Sequence, residues 1–371
     1  MMDRRLVENF DWAIIFVLMG IIGVGLLSLY SALWPLIEAD PAHNPFIKQL
    51  MWLFLGFCVM FATLFLDYQR LKTVSFWVYA AVILLLVLVL VVGREVNGSK
   101  RWLNLFWFQL QPSELMKVAI VLQLSAYFSS QEVPTYPGMR QLFPALGFTA
   151  LAVILVLKQP DLGTGMCIAA IAGTVIFFAG IRWRYLAASA AMGLASIWPV
   201  WHYVLKDYQK ARILTLLRPD LDPLGAGYHI RQSKIAIGSG MGWGKGFLHG
   251  TQTKLHFLPE KHTDFIFSVW AEEWGFLGSI LLLVLFGALI ALALRVARRS
   301  KDRFGALIVV GMTALLMWQA VINIGMVIGL MPVVGITLPF VSYGGSSLIT
   351  MCFAIGVIEN VSMRRFVFHS R

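Results

Sequence analysis

The sequence predicts an all-α integral membrane protein with about ten transmembrane helices and one long extracytoplasmic loop between helices 7 and 8. Three observations carry this. Of 371 residues, 59% are apolar and 13% charged, where a soluble domain carries roughly 25% charged residues. Mean hydropathy is +0.76, so lipid is the natural solvent for the surplus apolar surface. Uninterrupted apolar runs of membrane-crossing length, about 17–25 residues, recur along the chain and are interrupted by a single long polar stretch, 206–264.

The runs fall near 12–30, 50–66, 74–92, 113–128, 141–157, 164–180, 186–205, 265–294, 304–328 and 342–359. The first is followed by further spans and is expected to be retained rather than cleaved. No internal repeat or low-complexity linker divides the chain, so 1–371 reads as a single polytopic membrane domain. Cys58, Cys167 and Cys352 sit inside apolar runs and read as small hydrophobes rather than a disulfide framework.

Orientation follows from Lys and Arg. With the N-terminus inside, the cytoplasmic segments hold fifteen, among them Arg4, Arg5, Arg182, Arg184, Arg298, Arg299, Arg364 and Arg365. The short outer loops hold five: Lys48, Arg94, Lys100, Arg101 and Lys158. Both termini are therefore expected in the cytoplasm. The long loop lies outside despite nine Lys/Arg against five carboxylates, since long segments translocate largely regardless of charge. Its basic excess suits an anionic ligand such as a phosphate, or simply a solvated loop near anionic headgroups.

Ionisable residues inside spans are costly, on the order of 2.5–3.5 kcal/mol each. Glu114 and Lys117 stand three apart on one predicted helix face and are expected to pair; the alternative is an interfacial pair that trims the span. Glu272 and Glu273 are adjacent, so at most one of them faces a given partner. Glu359 ends the last span beside Arg364 and Arg365 and reads as interfacial.

Within the long loop, Asp222 to Tyr228 is a turn cluster, and Ile230 to Ile237 reads as an amphipathic helix carrying Arg231, Ser233 and Lys234. Gly238, Gly240, Gly242, Gly244, Gly246 and Gly250 follow. Such glycines let backbone approach a ligand and turn N–H groups toward an anion; any long re-entrant loop also needs them, and no Gly-Lys-Ser/Thr completes a phosphate loop. The stretch Phe257 to Phe267 returns the chain to the membrane with Glu260, His262 and Asp264 at the boundary. Partial desolvation there would make Asp264 a better base, with Glu260 and His262 able to tune it or bind a cation. The competing reading makes Asp264 the N-cap of the following span.

At these residues the chain resembles the SEDS family (shape, elongation, division and sporulation). The resemblance covers essentially the whole chain. It is carried by Arg101-Trp102-Leu103, Gln111-Pro112-Ser113-Glu114 with Lys117, Gln159 to Thr164, Asp222 to His229, Gln232-Ser233, Ile235 to Gly240, 257–267, Ala271-Glu272-Glu273 and Pro339 to Ser346. One departure is Met241, where the family usually has glycine; Gly242 follows, which allows a one-residue shift of the turn.

The resemblance implies a bacterial inner-membrane peptidoglycan glycosyltransferase of the elongation type that polymerises lipid II from outside the membrane. Its partners would be a class B penicillin-binding protein (a transpeptidase), undecaprenyl-diphosphate-linked glycan and other elongation-complex membrane proteins, with no nucleic acid. It places the essential aspartate on Asp264, the outer-loop tryptophan on Trp102, the buried ion pair on Glu114 and Lys117, and the loop arginine on Arg212. Arg101, Lys234, Glu260 and His262 are further substrate-binding or supporting candidates. The implied displacement inverts the donor sugar, so one base suffices and the diphosphate leaves already ionised. Arg212, Lys234 or a divalent cation, Mg or Mn, could neutralise it. Rival readings are a flippase or transporter for the same lipid, which buried Glu114 and Lys117 would suit, a division or sporulation paralogue, and a scaffold that only positions the transpeptidase.

Overall fold

Each predicted apolar run is a helix in the computed structural model, which describes residues 9–40, 44–96, 99–105, 108–130, 137–204, 207–217, 225–251 and 261–365. In chain order the first three are α1 (Trp12–Ala39), α2 (Pro45–Phe65) and α3 (Tyr68–Val92). Then come α4 (Pro112–Phe128), α5 (Met139–Lys158), α6 (Leu162–Phe178) and α7 (Trp183–Pro199). The loop helices are α8 (Asp207–Leu217) and α9 (Ala226–Ser239), followed by α10 (Ile266–Arg298), α11 (Arg303–Val327) and α12 (Gly345–Arg364). Seven of these, α1, α2, α3, α5, α10, α11 and α12, are long and apolar enough to cross a bilayer by length and composition. The other three predicted spans, α4, α6 and α7, have 17 residues each, at the lower edge of bilayer-spanning length, roughly 17–25 residues.

Helix starts follow from local chemistry. Asn44 accepts from Phe46 N at 2.9 Å ahead of Pro45, and Asp67, Asp161 and Asp302 accept from the first turns of α3, α6 and α11. Asp302 also takes bonds from Tyr68 and from Gln69 Nε2 (3.0 Å), so one cap ties α3 to α11. Pro199 ends α7, and a π-turn, Val200–Val204, continues it; a proline removes a ladder donor and disturbs the register there.

Helices α4, α11 and α12 form the buried centre, with Met116, Ile120, Leu315, Met351 and Ile355 fully enclosed. Around them α2 packs on α12, α3 on α4, α1 on α10, and α6 on both α11 and α5. The outer faces of α2 and α3 present Phe54, Phe65, Trp77 and Val91, as lipid-facing surfaces should.

Two departures from the expected all-helical pattern matter for the site. Between α3 and α4 the chain forms a small antiparallel sheet in the order β1 (Arg94–Val96), β2 (Ser99–Leu105), β3 (Phe108–Leu110). Its alternating, aromatic-rich sequence favours strand. The last predicted span also starts three residues late, at Gly345. Before it, residues 328–344 run as an irregular strap with Val334, Ile336, Leu338, Phe340 and Val341 buried. Non-helical backbone is tolerated at such depth only where protein covers it.

Candidate active site

The strap 328–344 is the element on which the candidate residues converge. Its backbone takes positive φ at Gly329 (75°), Gly335 (70°) and Phe340 (62°), and Pro332 and Pro339 prevent it from joining α11 or α12. Side chains from neighbouring elements satisfy its polar groups. Gln319 Nε2 donates to Thr337 Oγ1 and Ser347 Oγ, both at 3.0 Å. Asn323 Nδ2 donates to Ile336 O at 2.6 Å, and Gln49 Nε2 to Ser342 O at 3.2 Å. Helix α6 reaches it at Gly163, where a side chain would collide with Val334.

Asp264 sits on this strap. It lies two residues before α10, whose N-cap position is held by Phe265 rather than by Asp264. Its backbone carbonyl accepts from Asn323 Nδ2 at 2.8 Å. The preceding residue, Thr263, gives its carbonyl to Ser342 Oγ at 2.5 Å, while Ser342 Oγ itself accepts from Leu338 N. His262 O accepts from Tyr343 N at 2.9 Å, and the two rings meet edge to face, centroids 5.9 Å apart. The Asp264 carboxylate rests against Gly335, where an added Cβ would stand 3.3 Å from Oδ2. Asp264 itself is half-buried. Next to it, Lys261 is buried, which pushes its ammonium below the usual lysine range.

Lys234, on the exposed face of α9, reaches the other end of the strap and lies over Gly329. Ser233, one residue earlier, is buried and bonds Ser268 on α10 (2.8 Å) and Val327 O on α11 (2.6 Å), which fixes α9 there. Arg212 is half-buried on α8. Arg101 bonds the carbonyls of Gln159 and Pro160 and lies 3.9 Å from Asp161, so it anchors the small sheet to the start of α6. Trp102, its neighbour on β2 opposite Arg94, is partly buried. Glu260 lies outside the described residues.

Glu114 and Lys117 meet inside the protein. Lys117 Nζ is 2.7 Å from Glu114 Oε1 and 2.7 Å from Gln319 Oε1, with the two side chains 2% and 9% exposed. The ion pair is thus continuous, through Gln319, with Thr337 on the strap.

The glycine-rich run has a packing task. It packs main chain to main chain against α10. Gly244 (φ +81°) and Gly275 (φ +63°), at a kink in α10, touch where a Cβ on either would overlap backbone of the other segment. Lys245 N and Gly246 N donate to the carbonyls of Glu272 and Glu273, and Phe276 N to Met241 O. Glu272, fully buried, accepts from Lys245 Nζ (2.6 Å) and from Thr251 N and Oγ1. Glu273 accepts from Ser31 on α1. Glu272 thus holds the loop directly, and Glu273 joins α1 to it, taking backbone N–H groups of Leu248 and Gly250 besides Ser31. Met241 takes φ +47° itself, so the turn does not shift onto Gly242. Glu359 is fully enclosed and accepts from Asp11 N at 3.2 Å.

Sequence reading missed Gln49, Gln319, Asn323 and Ser342. Two of them carried a signal: Gln319 and Asn323 stand four apart, hence on one face, in an otherwise apolar span.

A helical, multi-pass membrane domain with a partly exposed carboxylate seated on a buried strap defines the class: an integral membrane protein with a polar, carboxylate-bearing seat at one end of its bundle. The chain belongs to the FtsW/RodA/SpoVE family, described as cell cycle proteins, whose pattern matches residues 11–366. It is similar to the peptidoglycan glycosyltransferase MrdB of Escherichia coli K12, 43% identical over 289 residues, 78% of each chain. It is similar also to the stage V sporulation protein E of Bacillus subtilis, 38% identical over 95% of this chain and 96% of the other. Among solved structures it superposes on a chain from a peptidoglycan synthase complex that coordinates polymerization and crosslinking, with a TM-score of 0.82 and 34% identity over 96% of this chain and 98% of that one.

Proposed function

We propose that this protein is a peptidoglycan glycosyltransferase that polymerises lipid II, with Asp264 as its general base. The observation that carries the assignment of the base is the seat of Asp264. Its backbone carbonyl is held by Asn323 and that of its neighbour Thr263 by the strap residue Ser342, while its carboxylate rests against Gly335 of the strap. A carboxylate on fixed backbone at the edge of an apolar bundle suits proton abstraction.

The reaction joins two lipid-linked glycans. The acceptor's 4-hydroxyl oxygen forms a bond to the donor's anomeric carbon as the bond to undecaprenyl diphosphate breaks, inverting that carbon. Asp264 takes the hydroxyl proton, and the electron pair leaves on the diphosphate. No acid is needed because the leaving group is already ionised. Lys234 and Arg212, with other cations of 206–264, supply positive charge for it. Any Mg or Mn would be held between substrate phosphates and one or two carboxylates.

The Lys/Arg bias supports cytoplasmic termini and a site on the outer side of the inner membrane. The likeness to a chain of a complex that coordinates polymerization and crosslinking supports a class B penicillin-binding protein as partner, and the stretch Asp222 to His229, which resembles the elongation type, supports a role in elongation. A transport reading would need Glu114 and Lys117 free to handle cargo; their bonds to each other and to Gln319 speak against it.

The test is polymerisation of lipid II by purified protein with its transpeptidase partner blocked. Glycan polymer is expected, and Asp264→Asn should abolish it without loss of folding or membrane insertion. Near-normal turnover by that variant refutes Asp264 as base. Lipid scrambling without polymer would favour the flippase.

A further inference from the structure

We infer that Asn323 is the positioning residue of the reaction: its carboxamide fixes where the Asp264 carboxylate stands relative to the strap. The inference rests on the assignment of Asp264 as base.

Asn323 lies on the buried face of α11 and is fully enclosed. A buried amide is costly unless its donors and acceptor are paired; here Nδ2 is paired twice while Oδ1 accepts nothing among the described residues, and leucine would pack an apolar span more cheaply. Asparagine in a helix usually bonds back to its own preceding turn. Asn323 does not. Both protons of its Nδ2 go to carbonyls of other segments, Asp264 O at 2.8 Å and Ile336 O at 2.6 Å. Two carbonyl partners also fix the orientation of the amide, because the oxygen end could not occupy that position.

The two carbonyls belong to the two halves of the site. Asp264 carries the base. Ile336 follows Gly335, the residue against which the Asp264 carboxylate rests at left-handed φ +70°. A single side chain thus sets the separation between the base and its support. A second tie, Ser342 Oγ to Thr263 O at 2.5 Å, fixes the same pair of segments one residue earlier. Gln319, one helical turn before Asn323, holds the next strap residue, Thr337, and is itself held by Lys117. The buried ion pair thereby braces the strap on which the base stands, which gives it a structural purpose without any role in proton transfer.

Removing the Asn323 bridge frees the base to move relative to its support, and a displacement near 1 Å costs roughly 100-fold in rate. The protein, full length and with its crosslinking-blocked partner, is assayed on lipid II as wild type, Asn323→Ala, Asn323→Asp, Ser342→Ala and Asp264→Asn. For both Asn323 variants kcat should fall about 10- to 100-fold while KM stays within about threefold, measured on protein shown to be folded by its thermal transition. A purely structural role would lower the transition temperature and leave kcat of the folded fraction intact. That result, with Asp264→Asn inactive, overturns the positioning role and leaves the base in place. An active Asp264→Asn overturns the base itself. Should the Asn323 variants not fold, Ser342→Ala decides: reduced kcat at unchanged KM supports the seat, and wild-type kcat refutes it.

Discussion

The ion pair inside α4 offers the sharpest energetic test. In Lys117→Met the side chain keeps its length and loses its charge. Glu114 then holds a carboxylate in an enclosed site without its cation, and Gln319 Oε1 loses the donor that stands 2.7 Å away. Exposed ion pairs contribute only about 0–1 kcal/mol. Breaking a buried one from one side costs roughly 3–5 kcal/mol, because the remaining charge is stranded. In a chain of this size that corresponds to a fall in transition temperature of about 4–6 °C. The double variant Glu114→Leu/Lys117→Met removes both charges, so what remains is chiefly the unmet acceptor of Gln319, about 1–3 kcal/mol. The double variant should therefore be more stable than Lys117→Met alone. Thermal unfolding in lipid nanodiscs, followed by intrinsic fluorescence, reads both. A Lys117→Met protein that unfolds at the wild-type temperature, or a double variant less stable than the single, would show that the pair is solvated and the buried network is not what braces the strap.

The loop makes two further predictions. Met241 holds φ +47° at a position exposed to solvent, a conformation that costs a side-chain-bearing residue about 1–2 kcal/mol; Met241→Gly relieves this against a loss of about 0.5–1 kcal/mol from the freer unfolded chain. The variant should be as stable as wild type or more so, and a lowered transition temperature would refute the strain. Amide exchange at Lys245 and Gly246 should already be slow in the protein without its partner, since both N–H groups donate to α10. Partner binding should then slow exchange in other parts of 206–264, and fast exchange at those two amides in the free protein would contradict the zipped arrangement.

Much of the architecture was legible because a bilayer imposes a simple rule. Backbone must be paired within its own segment, so apolar length alone predicts helices such as α1, α3 and α11. The Glu114–Lys117 pair was legible for the same reason: two opposite charges three apart in an apolar run have few other ways to be tolerated. The strap was not legible. Residues 331–341 are as apolar as a span, and only Pro332, Gly335 and Pro339 signal that they do not form one. The small sheet was hidden likewise, its three short strands lying in the connection between two apolar runs.

The glycine run shows most clearly where sequence reasoning reaches its limit. Absence of a side chain lets a backbone approach something closely, and the sequence does not say what. An anion held by N–H groups and a helix bearing carbonyls make the same demand on residues 238–250. The deciding residues lie elsewhere, at Gly275, Glu272 and Glu273. Gly275 opens a gap in the α10 hydrogen-bond ladder, which frees the carbonyls of Glu272 and Glu273 to accept from Lys245 N and Gly246 N. The side chain of Glu272 takes up the Lys245 ammonium beside them. The adjacent acids, unexplained as members of an apolar span, and the glycines, ambiguous as a loop, are two halves of one joint. That joint fixes the segment entering 252–260 on the same helix whose first turn follows Asp264, so the long loop is anchored to α10 on both sides of the proposed base.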